Sequence, residues 1–182
     1  MIEKYALFKV LEALINSDKL NSIREIAKVS DVGVGTAKTC LDYLQSKNIV
    51  EKIVVGRNYS YKLSIDNVLT RYVKTTFSIG KILGSGLIGE IVEKHPYVIS
   101  IVLYGSVARG DDDSKSDIDI LIISRRKIVL KPLTAEKKID KELTFLTYTI
   151  PEWRQKAKTD KPFYDRIIID GIALYGEIPT VI

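Results

Sequence analysis

The chain has one cysteine, one histidine, one methionine and one tryptophan in 182 residues. A single thiol, Cys40, excludes a disulfide framework and any cysteine metal cluster, and it reads as a buried thiol on a helix. The only histidine, His95, stands beside Pro96 at a predicted helix end, which gives histidine-dependent nucleophilic catalysis no support. No apolar run is long enough to cross a bilayer, and Met1-Ile2-Glu3-Lys4 opens an amphipathic stretch rather than a signal peptide, so the expected location is cytoplasmic. Repeats and low-complexity tracts are also absent. What remains is a length that suits one good core or two small ones, with a net charge of +5. That balance suits nucleotide or nucleic-acid partners without requiring either.

The chemistry concentrates in Leu103-Tyr104-Gly105-Ser106-Val107-Ala108-Arg109-Gly110 and the following Ser116-Asp117-Ile118-Asp119-Ile120-Leu121. Ile99 to Tyr104 is a β-branched apolar run that predicts a buried strand, and Gly105 breaks it. A short helix starting near Ser106 would aim backbone N–H groups and the positive end of its dipole into the turn, which suits a polyphosphate. Ser116 to Ile123 predicts a second strand, on which Asp117 and Asp119 share a face. Two adjacent carboxylates repel unless a cation lies between them, and hard oxygen ligands of this kind suit Mg²⁺ bound with substrate phosphates. The pattern reads as a metal-dependent phosphoryl-transfer site. Arg109 fits either a phosphate contact or an ion pair with the loop aspartates. Asp111-Asp112-Asp113 reads as a solvated loop.

At these residues the chain resembles the DNA polymerase beta-type nucleotidyltransferases, whose pattern is Gly-Ser, a spacer and Asp-x-Asp. Here ten residues, Val107 to Ser116, separate Gly105-Ser106 from Asp117-x-Asp119. The longer string Gly-Ser-x-Ala-Arg-Gly, then Ser-Asp-Ile-Asp, is similar to the minimal nucleotidyltransferases, and the similarity covers about Tyr97 to Ile182. The resemblance implies that Gly105, Ser106 and Arg109 bind the nucleotide and that Asp117 and Asp119 hold Mg²⁺, with ATP as substrate. It also implies a third carboxylate on the next strand, Glu142 to Thr149, and here the chain departs. The expected position falls near Thr144. Glu142, two residues earlier and on the same face, either serves in its place or is a solvated strand-start carboxylate.

The N-terminal third follows a different pattern. Ala6, Leu7, Val10, Leu11 and Leu14 recur at helical spacing and Asn16-Ser17-Asp18 ends that helix. Ser22-Ile23-Arg24-Glu25 is a capping-box signature for a helix through Val29, Gly33 marks a tight turn, and Val34, Ala37, Leu41 and Leu44 define a third helix. Lys52 to Val55, Gly56-Arg57-Asn58 and Tyr59 to Leu63 predict a hairpin with Arg57 and Asn58 at its tip. Three helices and a hairpin in this order resemble a winged helix-turn-helix domain. The resemblance implies that the third helix enters the DNA major groove with Gly35, Thr36, Lys38 and Thr39 outward, and that Arg57 meets phosphate or the minor groove. A dimerisation or protein-docking module fits the same pattern. Charge does not decide: residues 1–62 carry ten basic and seven acidic side chains, a net of +3.

Between these regions Asp66-Asn67 predicts a helix start, Val68 to Phe77 a connecting helix, and Ile79 to Lys94 a second helix under the sheet. The string Gly84-Ser85-Gly86-Leu87-Ile88-Gly89 matches a dinucleotide-binding fingerprint by letter alone, because no strand precedes it. The expected organisation is therefore α+β: a winged helix-turn-helix domain over 1–65, a connecting helical segment over 66–96, and a small mixed-sheet polymerase-beta-like domain over 97–182. The expected activity is Mg²⁺-dependent transfer of AMP from ATP to a hydroxyl. The resemblance adds a HEPN-type toxin tyrosine as one acceptor, which would make the chain an antitoxin. The alternative is a non-catalytic DNA-binding regulator whose second domain binds nucleotide or a partner. Expected partners are a nucleotide, DNA through the winged helix, a HEPN-type protein and a second copy of the chain, with no membrane.

Overall fold

The computed structural model describes residues 5–17 and 19–181, so the readings made for Met1 to Lys4 and for Asp18 lie outside it. Packing divides the chain into two units, Met1–Lys74 and Thr75–Ile182. Among the described residues no helix is long and apolar enough to cross a membrane.

The first unit contains α1 (Ala6–Ile15), β1 (Asn21–Ser22), α2 (Ile23–Val29), α3 (Val34–Ser46), β2 (Val50–Val55) and β3 (Asn58–Leu63). Its apolar stripes do what their spacing predicts: Val10, Leu11 and Leu14 of α1, Ile26 of α2, and Ala37, Leu41 and Leu44 of α3 are all buried. Ser22 starts α2 through a capping box, its hydroxyl accepting from Glu25 N at 3.3 Å while the Glu25 carboxylate accepts from Ser22 N at 2.8 Å. The residue that turns the chain between α2 and α3 is Asp31, at φ 49°, whereas Gly33 stays at φ −64° as the N-cap of α3. The three strands form an antiparallel sheet in the order β1-β3-β2. Val55 pairs with Asn58, so the hairpin tip is the two-residue Gly56-Arg57 loop and Asn58 belongs to the strand. Gly56 supplies the positive φ, 62°, that such a loop requires.

The Asn67 carboxamide starts α4 (Val68–Ser85) by accepting from Leu69 N at 2.8 Å. The division between units falls within this helix. It does not break after Phe77 as the sequence suggests; it continues to Ser85, and Gly86 at φ 84° ends it before α5 (Leu87–Lys94). The glycine-rich string is therefore the junction of two helices, with no strand before it.

The second unit is built on β4 (Val98–Tyr104), β5 (Ile118–Ser124), β6 (Leu143–Thr149) and β7 (Ile172–Gly176), in the order β6-β5-β4-β7. Only the β5–β6 pair is parallel, giving a mixed sheet. Between β4 and β5 lies the five-residue α6 (Gly105–Arg109), and α7 (Ile150–Thr159) and α8 (Lys161–Asp170) connect β6 to β7. Alternation along β5 gives the sheet two buried faces. Ile118, Ile120 and Ile122 pack with Ile82, Leu87 and Ile91 of α4 and α5. Leu121 and Ile123 pack with Val102, Trp153 and Ile167 on the α7 and α8 side. Each fully buried aliphatic side chain of this kind contributes about 1.5–3 kcal/mol, enough to fix the register of a strand. Asp119 shares the face of Leu121 and Ile123, so the carboxylate at the start of β5 is committed to the α7 and α8 side.

Candidate functional site

β4 ends in Tyr104, and antiparallel pairing sets Tyr104 directly opposite Asp119 at the start of β5. The chain then turns into α6 through Gly105 at φ 76°, a left-handed conformation that side chains resist. A second constraint acts at the same residue: a Cβ on Gly105 would collide with the Asp119 carboxylate. Backbone turn and carboxylate are thus packed against each other, with glycine the residue that permits both. The Thr75 hydroxyl donates to the carbonyls of Val107 and Ala108 at 3.2 and 3.3 Å, fixing the far end of α6.

A cleft of about 280 Å³ opens here, lined by Tyr104, Gly105, Ser106, Arg109 and Asp119 and, from α8, by Phe163, Arg166 and Asp170. Gly105, Ser106, Arg109 and Asp119 are the sequence-derived residues that the fold brings into it. Phe163, Arg166 and Asp170 are additions that carry no local signature. Their spacing of three and four residues puts them on one helix face, which was the available signal.

Burial raises the Asp119 carboxyl above the ordinary aspartate range, and the charge of Asp117 raises it further, while Arg109 pulls it back down. The two aspartates are therefore close enough to repel each other. Asp117 is exposed and precedes β5, which begins at Ile118 rather than at Ser116. A cation between the carboxylates would relieve both the burial penalty and the repulsion, and their hard oxygens suit Mg²⁺. Among the described residues no group of three or more His, Cys, Asp or Glu side chains converges.

The parallel register of β6 sets Thr144 beside Asp119. Leu146 and Tyr148, in step with Thr144, pack on the same face as Leu121 and Ile123, so Thr144 lies on the face of the aspartates. That strand position carries a hydroxyl. Glu142 is exposed just before β6, and its carbonyl accepts from Ile118 N at 2.8 Å. It lies at the same end of the sheet as Asp117 but is not among the residues lining the cleft.

Arg109 combines both of its sequence-level readings. It lines the cleft, and its guanidinium donates to both Asp111 oxygens, at 3.1 and 3.3 Å. Both side chains are 39% exposed, so this pair is worth only about 0–1 kcal/mol and a phosphate oxygen would draw Arg109 away at small cost. The aspartate loop is not uniformly solvated. Asp112 is buried and paired with Lys141 at 2.5 Å, and Lys141 also donates to the Asp113 carbonyl at 2.6 Å. This clasp ties the loop before Asp117 to the start of β6. Arg126 stacks on Tyr97 at the opposite end of the sheet from the cleft, and Lys138 donates to the Ser85 carbonyl at 3.2 Å.

In the first unit Gly35, Thr36, Lys38 and Thr39 lie exposed along α3, while Ala37 between them is buried. The Thr39 hydroxyl donates back to the Gly35 carbonyl at 3.2 Å. Arg57 is exposed in the hairpin loop, and Lys52 lies 3.9 Å over the Tyr59 ring along the same hairpin.

A family model described as polymerase beta, nucleotidyltransferase matches residues 87–178 of this chain. That span holds β4, α6, β5, β6, α7, α8 and β7, hence every residue of the cleft. No curated protein matches the chain.

Proposed function

This chain belongs to the polymerase beta nucleotidyltransferase family, and on that premise we propose that its second unit transfers AMP from Mg²⁺-ATP to a hydroxyl of an acceptor. The observation that carries this reading is the mutual packing of Gly105 and Asp119 at the mouth of a polar cleft. Gly105, Ser106 and Arg109 would bind the phosphates. Asp117 and Asp119 would hold Mg²⁺, which when bound neutralises charge on the phosphates as it develops. The acceptor oxygen forms a bond to the α-phosphorus, the bond to the β-phosphoryl oxygen breaks, and pyrophosphate leaves. The acceptor proton needs a base, and Glu142, just before β6, is the residue we assign to that role.

Calorimetry with Mg²⁺-ATP and a transfer assay test the assignment together. Asp117→Asn with Asp119→Asn should weaken Mg²⁺-ATP at least about tenfold, since both charged oxygen donors are lost. Glu142→Gln should leave that affinity intact and abolish transfer. Unchanged affinity in a folded double variant would remove the metal assignment; unchanged transfer in Glu142→Gln would remove Glu142 from the chemistry.

The placement of Thr144 beside Asp119 favours a second reading, in which the second unit binds nucleotide or a partner without catalysis. In that case the first unit carries the function as a winged-helix DNA-binding domain, with Thr36, Lys38 and Thr39 towards the major groove and Arg57 on the wing. A HEPN-type protein as acceptor or partner, and self-association, belong to the proposal at the same level, since the family implies only the nucleotide.

A further inference from the structure

α8 forms the wall of the cleft that the Gly-Ser pattern does not supply, and it is mounted firmly. Asp160 caps it, accepting from Phe163 N at 3.3 Å, and Lys156 holds that carboxylate at 2.7 Å. Ile167 is fully buried, and Phe163 packs edge-on against Tyr104 with ring centres 5.8 Å apart. At the end of the helix Gly171 lies so close to the Ile167 carbonyl and the Val102 side chain that no Cβ fits. Such fixings give the face bearing Phe163, Arg166 and Asp170 one position relative to β4.

The two arginines of the cleft differ in how their charge is spent. Arg109 donates in a fork to Asp111. Arg166 donates through Nε to the Pro162 carbonyl, one turn back in its own helix, at 3.3 Å, and it forms no ion pair among the described residues. Its side chain lines the cleft together with Tyr104, Ser106 and Asp119. A guanidinium anchored at Nε on a firmly mounted helix and lining a polar cleft suits anionic oxygens taken in pairs.

We infer that Arg166 binds the β- and γ-phosphoryl oxygens of the nucleoside triphosphate, facing Ser106 across the cleft; the inference rests on the nucleotide reading above. Sheet order selects this end of the nucleotide. Thr144 and Glu142 lie on the β6 side of Asp119, whereas α8 leads into β7 on the far side of β4. Arg166 is therefore on the leaving-group side of the α-phosphorus, away from the candidate base. Asp170, one turn further along the same face, repels phosphate and confines it to the end of the cleft between Arg166 and Ser106.

Titration of the full chain with Mg²⁺-ATP, Mg²⁺-ADP and AMP tests this. Arg166→Ala should weaken Mg²⁺-ATP at least about tenfold, Mg²⁺-ADP by less, and AMP not at all, because only the first two carry the oxygens in question. Arg166→Lys should restore part of the loss, since it keeps the charge without the fork. Unchanged ATP affinity in Arg166→Ala, or an equal loss for AMP, would overturn the inference while leaving the nucleotide site standing. A wild-type chain that binds none of the three removes that site and this inference with it.

Discussion

The two units present their polar residues in opposite ways. In the first, Thr36, Lys38, Thr39 and Arg57 stand exposed on a helix face and a hairpin loop, each supported by a core that would exist without it. In the second, the polar residues support one another. Asp119 occupies the space that Gly105 leaves, Tyr104 pairs with Asp119, and Phe163 braces Tyr104. A surface of separable contacts loses affinity by increments when residues are removed, whereas an interlocked cleft fails through single positions. That contrast orders the expected effects of substitution.

The largest falls on Gly105→Ala. Alanine at φ 76° costs roughly 1–2 kcal/mol in backbone strain alone. The added Cβ must also displace the Asp119 carboxylate, which adds a steric cost and removes a proposed metal ligand. We expect Mg²⁺-ATP binding to be lost and the midpoint of thermal unfolding of this unit to fall. A stable Gly105→Ala variant with unchanged nucleotide affinity would show that the interlock is not what builds the site.

An intermediate effect is expected in the first unit. If its exposed face reads DNA, Lys38→Ala should relax discrimination at one base position, and Arg57→Ala should weaken binding to all sequences and flatten the salt dependence by about one phosphate contact. Each change should leave stability within about 0.5 kcal/mol, as for surface positions that nothing packs against. Salt-dependent binding measured on the full chain checks both. No binding in low salt would assign this face to protein docking.

The same contrast explains what was legible in the sequence. Local signals survived folding well. The Ser22 capping box, the apolar stripes of α1 and α3, and the Gly105 break after β4 depend on residues within a few positions of one another. Signals that depend on tertiary return did not. Asp112 reads as loop chemistry until Lys141, 29 residues away, arrives to pair with it. Nothing near Arg166 marks it as lining a cleft with Ser106, because only the crossing of α8 beside β4 brings them together. Between these extremes are boundary errors with local causes. α4 runs past Phe77 because neither Ser78 nor Gly80 halts it, and the chain waits for a glycine in the left-handed conformation, Gly86. The pairing of Thr144 with Asp119 is likewise a product of the fold, set by the parallel register of β5 and β6.

The smallest expected effect asks how far the interlocking of the second unit extends from the cleft. Glu90 on α5 accepts from the backbone N–H groups of Thr134 and Ala135 at 3.0 and 2.9 Å and from Lys94 at 2.6 Å, tying the segment before β6 to the helix layer. These donors, the Lys94 ammonium first, lower its carboxyl from 4.5 to about 2. A carboxylate depressed in the folded state stabilises that state fully above its unfolded value, and the contribution is lost as pH falls from 4.5 towards 2. Glu90→Gln keeps the shape and removes the charge, so the variant should unfold more easily than wild type at neutral pH, with the gap closing across that window. Amide hydrogen exchange at Thr134 and Ala135 should quicken in the variant near neutral pH, while Mg²⁺-ATP affinity stays unchanged. If affinity falls too, the clasp at Glu90 and the cleft belong to one cooperative unit, and the division between an interlocked site and a separable periphery has to be moved outward.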